Sequence, residues 1–410
     1  MPDSTPPSSA AASQSHDGVL KPEDPILGRK TSLASKLVLG FRFLGVLLFL
    51  YLFLVSIKAM GGGLKIYAQD PANEARIHEL FDYAHNPFVG LAAGILLTSL
   101  VQSSSFTTSF IIAMVAAGQL QPSHAVPAIM GANIGTSVTN TLVSLAHLRI
   151  RREFRAAFAA ATVHDIFNYL TVILLLPLEM RFGLLSNTAR WGAGVFNLPD
   201  DLGMGEGFIK TITKPPIDLL KNFLADTLNL GSNAVGLIVS LVGIFFLFVS
   251  LLMLVRMLKG LVLGRMEGLF RRFFFSNTGV ALIVGMMITI MVQSSSVTTS
   301  LIIPFVGAGL LTLRQVFPYM VGANIGTTCT GLLAAAAAPT AGSLMVAFVH
   351  LLFNVIGACI FVPWRNLPIR LSERLAQVVA RKRYLAVVYI GVVFGLLPLI
   401  CIYIFSVFAD

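Results

Sequence analysis

Long apolar runs alternate with short polar segments along the chain. Runs of about twenty residues occupy approximately 38–58, 155–177, 234–256, 343–363 and 385–408. Two longer stretches, 87–147 and 278–337, are also apolar, but small polar residues interrupt each at matching places. The segments 61–86 and 179–232 are more polar and read as loops. A helix rises 1.5 Å per residue, so about twenty apolar residues cross a hydrocarbon core of roughly 30 Å. Each run therefore predicts a transmembrane helix, and the alternating ten-residue segments of a membrane β-barrel are absent. The pattern predicts an all-α polytopic membrane protein.

The interruptions come in pairs. "VQSSSFTTS" runs from Val101 to Ser109 and "VQSSSVTTS" from Val292 to Ser300. "GANIGTSVTNT" begins at Gly131 and "GANIGTTCTG" at Gly322. Gly94 aligns with Gly285, Gly118 with Gly309 and Pro127 with Pro318, all at an offset of 191. After five residues are dropped from the second copy, "HDIFN" (164–168) meets "HLLFN" (350–354). The chain is an internal duplication, with copies at about 87–178 and 277–363.

Charge sets the expected orientation. Lys30, Lys36 and Arg42 flank the first run and place the N-terminus in the cytoplasm. One crossing (37–60) then puts 61–86 outside. The basic segments at 149–155, 256–272 and 365–383 belong inside, which leaves 179–232 as an extracytoplasmic loop. A linking helix with its basic cytoplasmic segment occupies 234–276, and the last helix, 385–408, ends outside. The first copy then starts outside and the second inside, the inverted-repeat plan of secondary transporters. Between 86 and 149 the crossings must be odd in number, yet two apolar stretches fill the interval. The expected solution is a re-entrant helical hairpin with its tip at Gln102–Ser105, followed by a crossing at 122–147, and the same in the second copy. Such backbone is tolerated where it is buried in protein or lines a wet cavity.

Composition narrows the function classes. Of 410 residues, 56% are hydrophobic and only 12% charged, far from a soluble domain. The net charge of +10 sits in short loops between apolar runs, which excludes a nucleic-acid partner and leaves the lipid bilayer. Cys329, Cys359 and Cys401 lie in apolar stretches and read as free thiols. Residues 1–36 are rich in Ser, Pro and Ala and are expected to form a disordered cytoplasmic tail, not a cleaved signal peptide.

The paired polar segments carry the candidate chemistry. Hydroxyls, the Gln amide and freed backbone groups donate or accept hydrogen bonds. Half-helix N-termini suit an anion, and unwound carbonyls and hydroxyl oxygens suit sodium. A QSSS tip thus predicts an anion and a sodium ion side by side, with no Lys or Arg near it. The competing reading is interhelical hydrogen bonding, which the duplication and the following TTS disfavour. In GANIGT the glycines four apart also read as helix packing. Asn133 and Asn324 need partners in hydrocarbon, and with Thr136, Thr327 and Thr330 they predict a broken transmembrane helix facing the site. Asp165 stands near mid-depth, where a carboxylate costs about 2.5–3.5 kcal/mol, and so reads as functional; the alternative is pairing with His164. His164 and His350 recur in both copies and read as packing or helix-linking groups. "ITKPPIDLL" (212–220) has no assignable role.

The paired QSSS motifs, "MGANIGTSVTNTLVSL", "FRAAFAAATVHDIFNYLTVILLLPLE" and "LPIRLSERLA" closely resemble the type II sodium-dependent phosphate cotransporters over about 36–408. The resemblance implies sodium-coupled uptake of inorganic phosphate across the plasma (cell inner) membrane by alternating access, with sodium as co-substrate and no cofactor. It implies a phosphate site of Gln102, Ser103, Ser104, Ser105, Ser294, Ser295 and Ser296, with Gln293 shared with sodium, and the site-facing Asn133 and Asn324 are added to it from the reading of GANIGT. It implies sodium ligands among Gln293, Ser294, Thr327, Thr330 and Asn168, to which the mid-depth Asp165 and the repeat counterpart Thr136 are added as candidates. Electrogenic members carry an Asp after "TVH" and electroneutral ones a Gly, so Asp165 implies net charge movement. The chain departs from the family pattern at His147 and Ile150, where a Gln and an Asp are expected. The 179–232 loop has no cysteine pair, and the chain ends one span past "LPIRL", as expected of a bacterial-type homologue.

Other functions fit less well. A carrier of another small oxyanion or a carboxylate would have the same architecture, and a channel is compatible with it. An intramembrane hydrolase built on Ser103–Ser105, His164 and Asp165 lacks a GxSxG elbow. Its adjacent His and Asp would diverge by about 100° on one helix, which suits a triad poorly.

Overall fold

The computed structural model describes residues 33–82, 85–195, 205–273 and 277–407, and its regular elements among them are all helical. The tail expected at 1–36 falls outside the described residues, except that Leu33–Lys36 already open the first helix. By contacts the chain divides into units at Phe41/Arg42. The first is represented by the opening turns of one helix, and every contact described below lies within the second.

Helix α1 spans Leu33–Tyr67 and α2 spans Pro71–Asp82. The first copy contains α3 (Pro87–Val101), α4 (Ser104–Ala116), α5 (Pro122–Gly135), α6 (Ser137–Ser144) and α7 (Arg151–Phe182). Next come α8 (Leu184–Val195), α9 (Gly205–Asn222) and α10 (Ser232–Phe273). The second copy contains α11 (Thr278–Val292), α12 (Ser295–Ser300), α13 (Ile303–Gly307), α14 (Leu313–Ala337) and α15 (Ala341–Phe361). Helices α16 (Asn366–Val379), α17 (Tyr384–Gly391) and α18 (Leu397–Val407) complete the chain, with a π-helical turn at Val392–Leu396 joining the last two. Among the described residues six helical segments are long and apolar enough to cross a membrane: 37–67, 151–182, 232–261, 313–337, 341–361 and 384–405. Most of α7 and α14 is buried, whereas the first and last spans expose large side chains such as Leu44 and Tyr403.

The described residues of the two segments expected as loops are largely helical. The GGG run of "KAMGGGLKIY" is a contact surface. A Cβ on Gly63 would lie 2.6 Å from the Ser240 nitrogen, and one on Gly236 would lie 2.5 Å from the Tyr67 nitrogen. Backbone contact with α10 therefore carries α1 on to Tyr67. Beyond α7, Gly183 adopts φ 60, and Glu179 accepts from the Leu185 and Ser186 amides, which caps α8. The double proline of α9 also acquires a structural account. Pro216 has no N–H to offer the Ile212 carbonyl four residues back, and the Tyr51 hydroxyl donates to that oxygen at 3.0 Å.

Glycine sets the packing inside each copy. A Cβ on Gly94 would lie 2.1 Å from the Ala128 oxygen, and one on Gly131 2.0 Å from the Leu91 oxygen. Gly285 and Tyr319, then Gly322 and Leu282, repeat this at 2.0 and 1.9 Å. So α3 lies directly on α5, and α11 on α14. We expect Gly322→Ala to force α11 and α14 apart and to lower stability by about 1–3 kcal/mol. Gly192→Ala in α8, with no atom within 4 Å of the new carbon, should be silent. Thermal denaturation in detergent compares the two.

Candidate functional site

Each VQSSS segment is a break between two short helices. Val101 ends α3, and Gln102 turns left-handed at φ 56, ψ 30. Ser103 is extended and caps α4, its hydroxyl accepting from the Phe106 amide. The second copy repeats this at Gln293 (φ 57, ψ 27) and Ser294, which accepts from the Val297 amide. Only three described non-glycine residues have positive φ, and two are these glutamines. Such a conformation costs roughly 1–3 kcal/mol and persists where its surroundings demand it. The first break reverses the chain. Thr98 and Thr107, about 13 Å apart in a straight helix, join their hydroxyls at 2.9 Å.

The two breaks meet. The Ser105 hydroxyl donates to Thr330 Oγ1 at 3.3 Å, and Thr330 donates to Gln293 Oε1 at 2.9 Å. One hydroxyl of α14 thus links the tip of the first copy to that of the second. The Gln293 amide nitrogen also caps α11 through the Ile290 carbonyl. Around this chain the hydroxyls of Ser104, Ser295 and Ser296 have no hydrogen-bond partner among the described residues, although Ser104 and Ser295 are buried. Thr136 and Thr327 donate to Ala132 and Ala323 in their own helices, which leaves oxygen lone pairs to accept or coordinate.

The copies are not in the same arrangement. Gln102, the counterpart of Gln293, is exposed. Thr139, the counterpart of Thr330, has a buried Oγ1 with no partner. Pro304 stands where the first copy has Ala113; it lies in the first turn of α13, where α4 instead runs on unbroken.

The expected helix break at GANIGT appears only in the first copy, as a one-residue interruption at Thr136. Helix α14 continues through Asn324, and Thr136 between α5 and α6 keeps right-handed helical angles, φ −58 and ψ −30. The glycines of the motif serve packing, and the asparagines are satisfied from neighbouring helices without unwinding. His164 of α7 bonds Asn324 through Nε2 at 2.5 Å and Ser137 through Nδ1 at 2.7 Å. Asn324 donates to Asn168 Oδ1 at 3.0 Å, so its own oxygen accepts and His164 carries its proton on Nε2. Reciprocally, His350 and Asn354 of α15 reach Asn133 Oδ1 at 3.3 and 3.1 Å. Each copy's histidine helix therefore holds the other copy's GANIGT helix. Asn133 and Asn324 are committed to this clasp and not to the tips.

Asp165 does not pair with His164, because successive residues point about 100° apart on a helix. Tyr389 donates to one carboxylate oxygen at 2.9 Å, and the other has no hydrogen-bond partner, although the carboxylate is wholly buried. His147 lies 3.6 Å from Glu153, and Ile150 precedes α7 with its side chain exposed. Asn354 was findable by aligning "HLLFN" with "HDIFN". Tyr389 had no signal, being one aromatic in an apolar run. Among the described residues no three His, Cys, Asp or Glu side chains cluster as for a transition metal.

The sequence profile described as Na+/Pi-cotransporter matches residues 52–189 and 245–396, more than half of the chain. The chain belongs to the Na+/Pi-cotransporter family. It is 35% identical to sodium-dependent phosphate transport protein 2A of Ovis aries over 86% of its length and 66% of the relative's. It is 34% identical to protein 2A of Rattus norvegicus, over 92% of the chain and 69% of the relative. The identity to protein 2B of Homo sapiens is 30%, over 87% and 64%. The chain thus spans about two thirds of the length of these relatives. No solved structure matches it.

The tip arrangement is testable by paired substitutions. Thr330→Val removes the hydroxyl shared by Ser105 and Gln293 and leaves a buried amide oxygen without its donor. We expect a loss of about 1–3 kcal/mol. Thr139→Val removes a hydroxyl that has no partner and should change stability by less than half as much. Denaturation midpoints of both variants in one detergent decide between them.

Proposed function

We propose that the chain is a sodium-coupled symporter of inorganic phosphate working by alternating access. Family membership supports the class of activity, and its relatives are named as transporters, not enzymes. The carrying observation within this chain is the junction of the two tips. Ser105, Thr330 and Gln293 form one hydrogen-bonded chain, beside partnerless hydroxyls of Ser104, Ser295 and Ser296. Hydroxyl donors and the first-turn amides of α4 suit a tetrahedral oxyanion without a cationic side chain.

In this reading Gln102 to Ser105 and Ser294 to Ser296 hold phosphate. Gln293, Ser294, Thr327 and Thr330 supply oxygens for sodium, with Thr136 as the first-copy counterpart of Thr327. Asn168 acts through the clasp, and Asn133 and Asn324 hold the copies together behind the site. The partnerless oxygen of Asp165 is an anionic ligand for a further sodium ion.

The copies act as inverted repeats. Helices α3 and α4 have 15 and 13 residues, or roughly 22 and 20 Å, too short to cross a core of about 30 Å and suited to a re-entrant pair. The N-terminus is cytoplasmic and the last helix ends outside, by the distribution of basic residues. The difference between Gln102 and Gln293 is then the difference between an open and a closed half of the carrier.

The deciding experiment is labelled phosphate uptake into proteoliposomes under an inward sodium gradient, with potassium as control. Sodium-driven accumulation above equilibrium supports the symporter. Equilibration alone would make the protein a channel or uniporter. Absence of uptake, with competition by sulfate, arsenate or succinate in binding, would transfer the site to another oxyanion or a carboxylate. A second measurement concerns charge. Each net charge moved contributes about 2.3 kcal/mol per 100 mV, roughly fifty-fold in accumulation. Asp165→Gly should keep sodium-dependent uptake and lose its dependence on membrane potential; an unchanged voltage response removes the carboxylate from charge coupling.

A further inference from the structure

A cavity of about 640 Å³ opens at the N-terminal end of α7, away from the tips. Arg151, Arg152, Arg155 and Arg381 line it with Gln377 and Ala380, and no carboxylate does. The first three arginines come from the first turns of α7, and the fourth follows α16, more than 200 residues later in the chain. Among the described residues none of the four guanidiniums lies within 4.0 Å of a carboxylate. Glu153, the one acidic residue in the first turn of α7, is turned towards His147 at 3.6 Å.

The four guanidiniums are exposed, and their convergence on one cavity favours an anion there. Like charges converge across a concave surface, and they do so at the positive end of a helix macrodipole, where acidic residues are normally stabilising. The residue preceding α7 is Ile150, which offers no side-chain cap, so the first-turn amides also lack a side-chain acceptor there. Orienting a helix in a membrane requires basic residues near its end. It does not require four of them, from two distant elements, to face one cavity. Guanidinium forks match phosphate oxygens in planar, bidentate geometry and stay charged at any working pH.

We propose that this cavity binds a phosphate-bearing anion, either the headgroup of an anionic phospholipid or inorganic phosphate itself. The chemistry is shared, and the surroundings admit both sources. Val378, Tyr384 and Val387, close in sequence to Arg381, are exposed and offer apolar surface for acyl chains. A neighbouring cavity of about 740 Å³ shares Arg152, Arg155 and Gln377, but Glu153 and Glu373 also line it, so a free phosphate ion is placed in the carboxylate-free cavity. The site stands on these arginines and does not depend on the transport reading.

The test has two arms, each run on wild type, on the triple variant R152Q/R155Q/R381Q and on R152K/R155K/R381K. In the first, the full chain in mixed micelles of phosphatidylglycerol and phosphatidylcholine is examined by native mass spectrometry for retained lipid. In the second, inorganic phosphate binding is measured by calorimetry in neutral detergent and potassium buffer without sodium. We expect at least one probe to bind wild type, to weaken at least tenfold in the Gln variant and to be partly restored in the Lys variant. Retention of phosphatidylglycerol alone assigns the site to lipid, and phosphate binding alone assigns it to the free ion. Failure of both probes to bind wild type overturns the proposal, as does equal binding by the Gln variant. Should the Gln variant not fold, raising potassium chloride tenfold on wild type decides: the affinity of the bound probe must fall, and an unchanged affinity overturns the proposal equally.

Discussion

Polar groups within apolar helices must find their partners inside the protein, and the rest of this structure depends on how they do so. Hydrocarbon offers no hydrogen bonds, so an unpaired amide or imidazole there is costly. The chain answers with a reciprocal clasp. His164 of the first copy holds Asn324 of the second, and His350 of the second reaches Asn133 of the first. Because each bond crosses between copies, the requirement for polar satisfaction also brings the two QSSS tips together. Apolar packing between helices in lipid has no such directionality.

Glycine supplies the complementary constraint. At Gly94, Gly131, Gly285 and Gly322 the neighbouring backbone occupies the space a Cβ would need. That contact fixes α3 against α5 and α11 against α14 as firm pairs and leaves the turns at Gln102 and Gln293 projecting from them. At Gln293 a glycine, though conformationally easier in left-handed geometry, would lack the amide that the structure uses. Gln293 uses both ends of its side chain, one on the Ile290 carbonyl and one on Thr330.

Two copies of one plan have reached two different arrangements. Gln293 is engaged and Gln102 is exposed; Thr330 is bonded twice and Thr139 has no partner. Part of the difference is written in single residues, such as Pro304 opposite Ala113. The bonding of the glutamines is not, because the local sequences "VQSSS" are identical. That asymmetry is a property of how the halves are packed.

The helical membrane class, the duplication and the position of both polar tips were legible in the sequence, because run length, repeat offset and local backbone chemistry are all one-dimensional signals. The helical content of 61–67, 184–195 and 205–222 was not, because GGG and PP read as breakers until α10 and Tyr51 are brought alongside. The role of GANIGT was half legible. The need of Asn133 and Asn324 for partners follows from burial, but unwinding and side-chain bonding meet that need equally well on paper. Only the tertiary structure, by placing His164, Asn168, His350 and Asn354 opposite them, decided for side-chain bonding, with α14 intact and the first copy interrupted only at Thr136. The same holds for Asp165, whose partner Tyr389 lies 224 positions away. Periodicity states which residues must be buried; which of them meet depends on helix packing, and that geometry exists only in three dimensions.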